Sequence, residues 1–235
     1  MSGGGISGQH YLALDIETGG IDKPIFALGA TVFRIEGGMP VFTGDEGMWN
    51  FAVPEVFDSE IYDEDTWKWF WGPSKPENFA VLQRMNAAPN CASEAELIQK
   101  FYAWWQTVTQ KYDNIKIVTD EPTFDVGFTD AKIKEHVPGG LPLRKQKKGE
   151  NKYYYTSTID YNTFENLIDI TFPMPPNDWS TNPELKKIWG EIPPEYKHDH
   201  DPLNDSKDMA YKFAKMWTFM QGRIGGGPAA SGGSA

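Results

Sequence analysis

One stretch of the chain, Tyr11–Gly20 (YLALDIETGG), limits the possible fold more than any other. Its first four residues are apolar or aromatic, which predicts a buried central strand. Asp15 and Glu17 follow two residues apart, and side chains at that spacing on a strand point to the same face. We therefore expect both carboxylates to project together from the end of a core strand. Gly19 and Gly20 then allow the backbone to approach a ligand closely.

Two carboxylates held side by side repel each other, so one stays protonated unless a cation lies between them. Oxygen-only ligands of this kind suit Mg²⁺ or Mn²⁺. The alternative interpretation is a strand that ends in a solvated acidic turn, because a motif as short as D-x-E also occurs by chance. Residues further along the chain are needed to decide between the two.

The composition narrows the class of protein. A chain of 235 residues with 40% hydrophobic residues predicts one domain with a sizeable core. The single cysteine, Cys91, excludes an internal disulfide framework and fits a reducing compartment. Without an apolar run of about 20 residues or a signal peptide, we expect a cytoplasmic protein with no membrane partner. The net charge of -11 argues against a passive nucleic-acid coat, but an enzyme whose metals offset the charge stays possible.

The hydrophobic pattern predicts an α/β fold. Ile25–Arg34 and Met39–Thr43 have the composition of strands and flank a hairpin signal at Glu36–Gly38, so an antiparallel three-stranded meander should begin the sheet. The other predicted elements are a helix ending near Met85, a capped helix at 93–111, strands at 115–118 and 153–159, helices at 124–136 and 163–168, and a long helix that begins near Pro202.

Both ends of the chain are expected to lie outside the domain. Residues 1–9 are predicted to form a disordered tail, residues 10–222 the domain, and the Gly/Ser-rich residues 223–235 a flexible tail. Within the domain, residues 171–199 hold six prolines. We expect this segment to be an inserted, ordered loop or lid, because a long proline-rich segment is seldom regular structure.

An aromatic segment, Thr66–Gly72, allows two interpretations. Trp67 and Trp71 stand four residues apart and would share one face of a helix. They could form a platform on which nucleic-acid bases stack. Packing of the helix onto the core is favoured, because aromatic residues at helical spacing are usually buried.

A basic segment interrupts the acidic sequence at residues 144–152. It contains Lys145, Lys147 and Lys148 in a protein whose overall charge is negative. One interpretation is a flexible arm whose lysines contact substrate phosphates. The other is a solvated loop without a partner.

Three short motifs follow one another along the chain: Asp15-x-Glu17, Asp120-Glu-Pro-Thr-Phe-Asp125 and His200-Asp-Pro-Leu-Asn-Asp205. In order and spacing they resemble the exonuclease motifs of the DEDDh branch of the DnaQ-like superfamily. The resemblance covers residues 11 to about 220, with Pro202 and Ser206 at positions where the family usually has Ala. The segment around Trp67 and Trp71 is also similar to short bacterial and phage members, of the exonuclease VIII and mycobacterial exoribonuclease types.

The resemblance implies a ribonuclease-H-like fold, with a mixed sheet whose first three strands are antiparallel and with helices on both faces. It also implies a 3′-to-5′ exonuclease that binds two Mg²⁺ or Mn²⁺ ions and releases nucleoside 5′-monophosphates. The site residues it implies are the metal ligands Asp15, Glu17, Asp125 and Asp205, the catalytic residues His200 and Glu17, and the terminal-nucleotide contacts Thr18, Gly19 and Gly20.

His200 is preferred over His198 as the residue that takes a proton from the attacking water. His200 stands five residues before Asp205, as the histidine motif requires, whereas Leu203 stands five residues after His198. The branch that uses Tyr would place it four residues before the acid, where this chain has Asp201. Asp208 is a weaker candidate ligand.

Several alternatives stay open. The partner is expected to be a 3′ end of DNA or RNA, and no residue of the sequence selects between them, because none is identified that reads the 2′-hydroxyl. A catalytically silent nucleic-acid-binding module is the main rival, although such a protein would gain from losing the four carboxylates. A structural domain with an acidic cleft is a third. The oligomeric state is also open, a homodimer included.

Overall fold

The computed structural model describes residues 6–147, 153–171, 182–196 and 198–224. A five-stranded mixed sheet forms its centre. The strands are β1 (Ile6–Thr18), β2 (Ile25–Glu36), β3 (Met39–Asn50), β4 (Tyr112–Thr119) and β7 (Thr158–Asp160). Their order across the sheet is β3-β2-β1-β4-β7. β1, β2 and β3 form an antiparallel meander, whereas β4 is parallel to β1 and β7 is parallel to β4. The predicted mixed α/β sheet is confirmed.

The central strand β1 is buried on both faces, which explains its continuous apolar sequence. Leu12, Leu14 and Ile16 belong to one core cluster, and Tyr11 and Ala13 belong to another on the opposite face. Because side chains alternate along a strand, one apolar run supplies both clusters.

Helices cover the two faces of this sheet. α3 and α4 pack on one face, and α5, α6 and α7 pack on the other. The helices are α1 (Glu64–Thr66), which continues as a π-helical turn at Trp67–Trp71, α2 (Pro76–Ala87), α3 (Glu94–Lys111), α4 (Asp125–His136), α5 (Tyr161–Thr171), α6 (Pro183–Trp189) and α7 (Pro202–Ile224), with a 3₁₀ turn at Pro194–Tyr196. In the described ranges, no helix combines the length and the apolar character needed to cross a membrane.

The aromatic segment packs into the core at Trp71, as the favoured interpretation predicted. Trp71 is fully buried in a cluster with Phe26, Tyr62 and Leu82. Its indole Nε1 donates a hydrogen bond of 2.9 Å to the carbonyl oxygen of Thr18. The tryptophan therefore fixes the end of β1, where the acidic residues lie.

Several element boundaries differ from the sequence prediction. The largest extension is in β3, which continues to Asn50, seven residues beyond the predicted end at Thr43. β1 begins at Ile6, so the predicted disordered tail is wrong for residues 6–9, which pair through their backbone with β4 although their side chains show no apolar pattern. The segment 153–159 is divided between β7 and β6 (Tyr153–Tyr155), and β6 pairs with β5 (Lys145–Lys147) in a separate two-stranded sheet. Further differences concern residues 171–199 and the C-terminal tail.

Part of the predicted proline-rich loop is helical, because α6 occupies residues 183–189. The start of α6 has a typical helix-capping sequence. The Asn182 side chain accepts a hydrogen bond from the Glu184 amide as the N-cap, and Pro183 occupies the first turn. α7 continues to Ile224, two residues beyond the predicted domain end. Residues 1–5, 172–181 and 225–235, which the tail and loop predictions also cover, lie outside the described residues.

Gly29 allows the start of α7 to touch the sheet. It is paired with Asp15 in the β1–β2 register. A Cβ atom at Gly29 would lie 2.1 Å from the carbonyl carbon and oxygen of Pro202, the first residue of α7. Only a residue without a side chain permits this contact, which brings the first turn of α7 beside Asp15.

We predict that Gly29→Ala lowers the free energy of unfolding by about 1–3 kcal/mol, because the added methyl overpacks a rigid backbone contact. Urea unfolding measures the change. Gly127→Ala is a matched control, since its added Cβ meets nothing closer than 4.0 Å and it lies inside α4. That helical substitution should stabilise the protein by about 0.5–1 kcal/mol. A Gly29→Ala variant as stable as the wild type would contradict the close approach of α7.

Candidate active site

Acidic residues from three elements meet at one edge of the sheet. β1 and β4 are adjacent and parallel, so both end at this edge. Carboxylate oxygens of Asp15, Glu17 and Asp205 lie within 4.8 Å of one another, and so do those of Asp15, Asp120 and Asp125. Asp125 is the first residue of α4, and Asp205 lies in the first turn of α7. The four predicted metal ligands are therefore brought together.

The cluster is largely removed from water. Glu17 is 8% exposed, Asp125 2% and Asp205 4%, while Asp15 is partly buried. Burial, and then repulsion by the neighbouring carboxylates, raises the pKa of Asp15 and of Glu17 well above the ordinary range. Burial, followed by the charge of Asp120, does the same to the pKa of Asp125. The metal-free cluster is therefore an unfavourable arrangement of like charges at neutral pH.

These residues fit a divalent cation. Asp15 belongs to both acidic groups, and its Oδ2 is buried without a hydrogen-bond partner. Within the described ranges, no lysine or arginine forms a salt bridge with Asp15, Glu17 or Asp125. A set of buried oxygen donors with unused lone pairs is the ligand chemistry of Mg²⁺ and Mn²⁺.

Neighbouring groups hold two of the carboxylates in place. The Thr119 hydroxyl, at the end of β4, donates a hydrogen bond to Asp125 Oδ2. Asp205 accepts hydrogen bonds from the backbone amides of Asp199 at 2.9 Å and of His200 at 3.0 Å. The loop before α7 therefore orients Asp205 through its backbone.

The two histidines of this loop have different surroundings. His198 Nδ1 lies 3.0 Å from Asp205 Oδ2, and this hydrogen bond raises the pKa of His198. The His200 ring is partly buried and packs against Phe70, with 4.7 Å between ring centroids. Burial, and then the charge of His198, lowers the pKa of His200. His198, which the motif spacing did not select, is thus the histidine whose ring contacts Asp205.

His200 also has an unusual backbone. Its φ of 63° lies in the left-handed region, which residues with a Cβ rarely adopt. Such conformations persist only where the surroundings impose them, and they are frequent at functional sites. Here the hydrogen bond from the His200 amide to Asp205 is the visible constraint.

A cavity of about 620 Å³ opens beside Glu17. Thr18 and Gly20, two of the predicted nucleotide contacts, line it. Gly19 is buried against the next loop, since a Cβ there would lie 1.8 Å from the Ile61 carbonyl oxygen. The other lining residues are Ile16, Ile21, Asp63, Glu64, Asp65, Thr66, Phe70 and Phe124. Phe124 lies in the second motif, and Phe70 lies in the aromatic segment Thr66–Gly72, in which the helical spacing indicated Trp67 and Trp71 instead.

A smaller, polar cavity of about 240 Å³ lies on another side of the cluster. Asp15, Asp120, Asp205 and His198 line it together with residues from α5 and α7 that the sequence did not indicate, namely Tyr161, Asn162, Glu165, Met209 and Lys212. Asp208, the weaker candidate ligand, also lines this cavity. It is 3% exposed and forms a salt bridge of 2.6 Å with Lys212.

Of the predicted basic arm, Lys145 and Lys147 lie in β5, which pairs with β6 apart from the main sheet. Lys145 is not among the residues that line either of these two cavities. The side chain of Lys147 and the whole of Lys148 lie outside the described residues. The phosphate contacts of this arm therefore stay a prediction.

Three comparisons with known proteins were informative only at the level of structure. No protein-family model matches the sequence, and no curated protein matches it. Among solved structures, the chain is similar to cell-death related nuclease 4 (CRN-4), with a TM-score of 0.54 and 14% sequence identity. The match covers 89% of this chain, which spans only 64% of that protein. At this identity the likeness shows the shared ribonuclease-H-like fold.

The raised carboxyl pKa values predict how the stability of the metal-free protein depends on pH. Above the ordinary values of 3.8 for Asp and 4.5 for Glu, the folded cluster retains protons that the unfolded chain has released. The cluster's contribution to the free energy of unfolding therefore falls as the pH rises from about 4 toward the raised folded values. In EDTA at neutral pH, Glu17→Gln should thus melt at a higher temperature than the wild type.

Thermal melts of both proteins in EDTA between pH 4.5 and 8 measure this difference. The gap in melting temperature should shrink toward pH 4.5, because the wild-type cluster is then protonated. A gap that is the same at every pH would show that Glu17 acts on stability through packing alone.

Proposed function

We propose that this chain is a metal-dependent 3′-to-5′ exonuclease of the DEDDh type. It would hydrolyse DNA or RNA from the 3′ end and release nucleoside 5′-monophosphates. The observation that carries the proposal is the convergence of Asp15, Glu17, Asp125 and Asp205, from three separate motifs, at one edge of the sheet. The fold shared with a protein named as a nuclease supports it.

The carboxylates would hold two Mg²⁺ or Mn²⁺ ions. Asp15, Glu17 and Asp205 form one group of donors, and Asp15 and Asp125 belong to the other. When bound, the ions supply an acidified water and offset the negative charge that develops at phosphorus. The chain contributes buried, oriented ligands, and in so dry a site their electrostatic effect is much stronger than in water.

His200 is the proposed acceptor of the proton from the attacking water. Its lowered pKa keeps the imidazole neutral near pH 7, which is the form that can accept a proton. Its amide is bonded to Asp205, and its ring packs on Phe70, which lines the cavity beside Glu17. The proposed base therefore contacts the acidic cluster through its amide and the wall of this cavity through Phe70, while His200 itself lines a separate cavity beside α2.

The cavity beside Glu17 is the proposed site of the 3′-terminal nucleotide. Its volume of about 620 Å³ is within the range of ordinary small-molecule pockets. Phe70 and Phe124 offer aromatic surfaces on which a base can stack, and Thr18 and Gly20 would contact the sugar. Lys145, Lys147 and Lys148 are proposed to contact phosphates further from the 3′ end.

A time course on 5′-labelled and 3′-labelled oligonucleotides tests the proposed reaction. RNA and DNA are compared in parallel with Mg²⁺, Mn²⁺ or EDTA. We predict metal-dependent release of a mononucleotide from the 3′ end, because the terminal pocket adjoins the carboxylates. Asp205→Asn, which keeps the shape of a metal ligand but removes its charge, should reduce turnover to background with the fold intact. Products that begin inside the strand, or activity that survives in EDTA, would contradict the proposal.

His200→Gln should lower kcat by about 10²- to 10⁴-fold, the usual contribution of a general base. Its affinity for Mn²⁺ should change little, because the Asp205 contact is made by the backbone amide. Single-turnover rates and Mn²⁺ titration measure the two quantities. His198→Gln is the matched control and should lose less activity than His200→Gln. The reverse order would assign the proton transfer to His198.

A further inference from the structure

The loop before α7 carries a second set of potential metal ligands, which differs in chemistry from the acidic cluster. The set consists of His198, His200 and Asp205. One ring nitrogen from each histidine and one carboxylate oxygen of Asp205 lie within 4.8 Å of one another. The acidic cluster offers oxygen donors, whereas this set offers two nitrogens and one oxygen.

Two imidazoles and a carboxylate are the ligands of Zn²⁺ and similar late first-row cations, whereas Mg²⁺ prefers oxygen alone. In a tetrahedral zinc site with bonds of about 2.0–2.1 Å, neighbouring ligand atoms lie roughly 3.3 Å apart. His198 Nδ1 and Asp205 Oδ2 are 3.0 Å apart. The spacing of this pair is therefore close to what zinc requires.

The set is also accessible and partly preorganised. The His198 side chain is 53% exposed, and both histidines line a cavity of about 530 Å³ on the side of α2. The Asp199 and His200 amides orient the Asp205 carboxylate. Such outer contacts are typical of metal ligands, since they fix the direction of the lone pairs.

We propose that His198, His200 and Asp205 form a site for Zn²⁺ or a cation of similar preference, and that its occupancy inhibits the enzyme. Asp205 is also a member of the acidic cluster, and His200 is the proposed proton acceptor. A cation held by both residues withdraws them from hydrolysis. The binding is argued from the ligand set alone, whereas the inhibition rests on the proposed function.

Zinc binding is measured on the full chain by competition with a chromophoric zinc chelator. The wild type should bind Zn²⁺, and His198→Gln should weaken the affinity at least about tenfold, because the site loses a nitrogen ligand. His136→Gln is the matched control, since His136 lies in α4 and pairs with Glu94. Circular dichroism verifies that each variant is folded. Wild-type affinity in His198→Gln would overturn the proposed site.

Glu17→Gln distinguishes the two ligand sets. Because Glu17 belongs only to the acidic cluster, its loss should leave zinc affinity nearly unchanged. An affinity that falls in Glu17→Gln and persists in His198→Gln would place the zinc among the oxygen ligands, and the proposal would be wrong.

Inhibition is measured by adding ZnCl₂ to the Mg²⁺-dependent nuclease assay, with each variant compared with its own zinc-free rate. The zinc concentration for half-inhibition should rise at least about tenfold in His198→Gln, in parallel with the loss of affinity. Equal inhibition of both proteins would overturn the regulatory role. If no substrate is cleaved by the wild type, the proposed function fails, while the chelator experiment still decides whether the zinc site exists.

Discussion

Repulsion among carboxylates at the end of β1 is the constraint on which the other features of this protein depend. The cluster holds four carboxylates close together and mostly away from water: Asp15, Glu17, Asp125 and Asp205. In such surroundings, each negative charge raises the free energy needed to ionise the next carboxyl group. A fold has no structural reason to gather such residues. A bound cation would explain the arrangement, because its positive charge offsets the repulsion and the closely spaced carboxylates then act as its ligands. The same cluster therefore accounts for the predicted pH dependence of stability in the metal-free protein and for the proposed metal-dependent function.

The sheet and its helices are built so that this cluster can form. β1 supplies two carboxylates because its side chains alternate, and the missing side chain of Gly29 lets α7 place Asp205 beside them. Trp71 holds the carbonyl of Thr18 at the end of the same strand. The backbone amides of the loop before α7 orient Asp205. Each contact is local, and together they fix the relative positions of elements that are far apart in sequence.

The sequence predicted what depends on short-range patterns. Hydrophobic runs and the Glu36–Gly38 turn predicted the antiparallel meander. The resemblance of three motifs to those of a nuclease family indicated which carboxylates meet. The sequence did not predict what depends on packing between distant elements. The strand residues 6–9 pair through backbone groups, which leave no apolar pattern. Packing between separate segments places Phe70 and Glu165 in the cavity walls and brings His198 to Asp205. The spacing of residues within a motif does not predict such packing.

Anomalous diffraction from crystals grown with Mn²⁺ would reveal whether the four carboxylates hold divalent cations. We expect anomalous peaks bounded by Asp15, Glu17, Asp125 and Asp205, with Asp15 near both ions. Strong peaks elsewhere, with these carboxylates hydrogen-bonded to one another and free of metal at saturating Mn²⁺, would contradict that expectation.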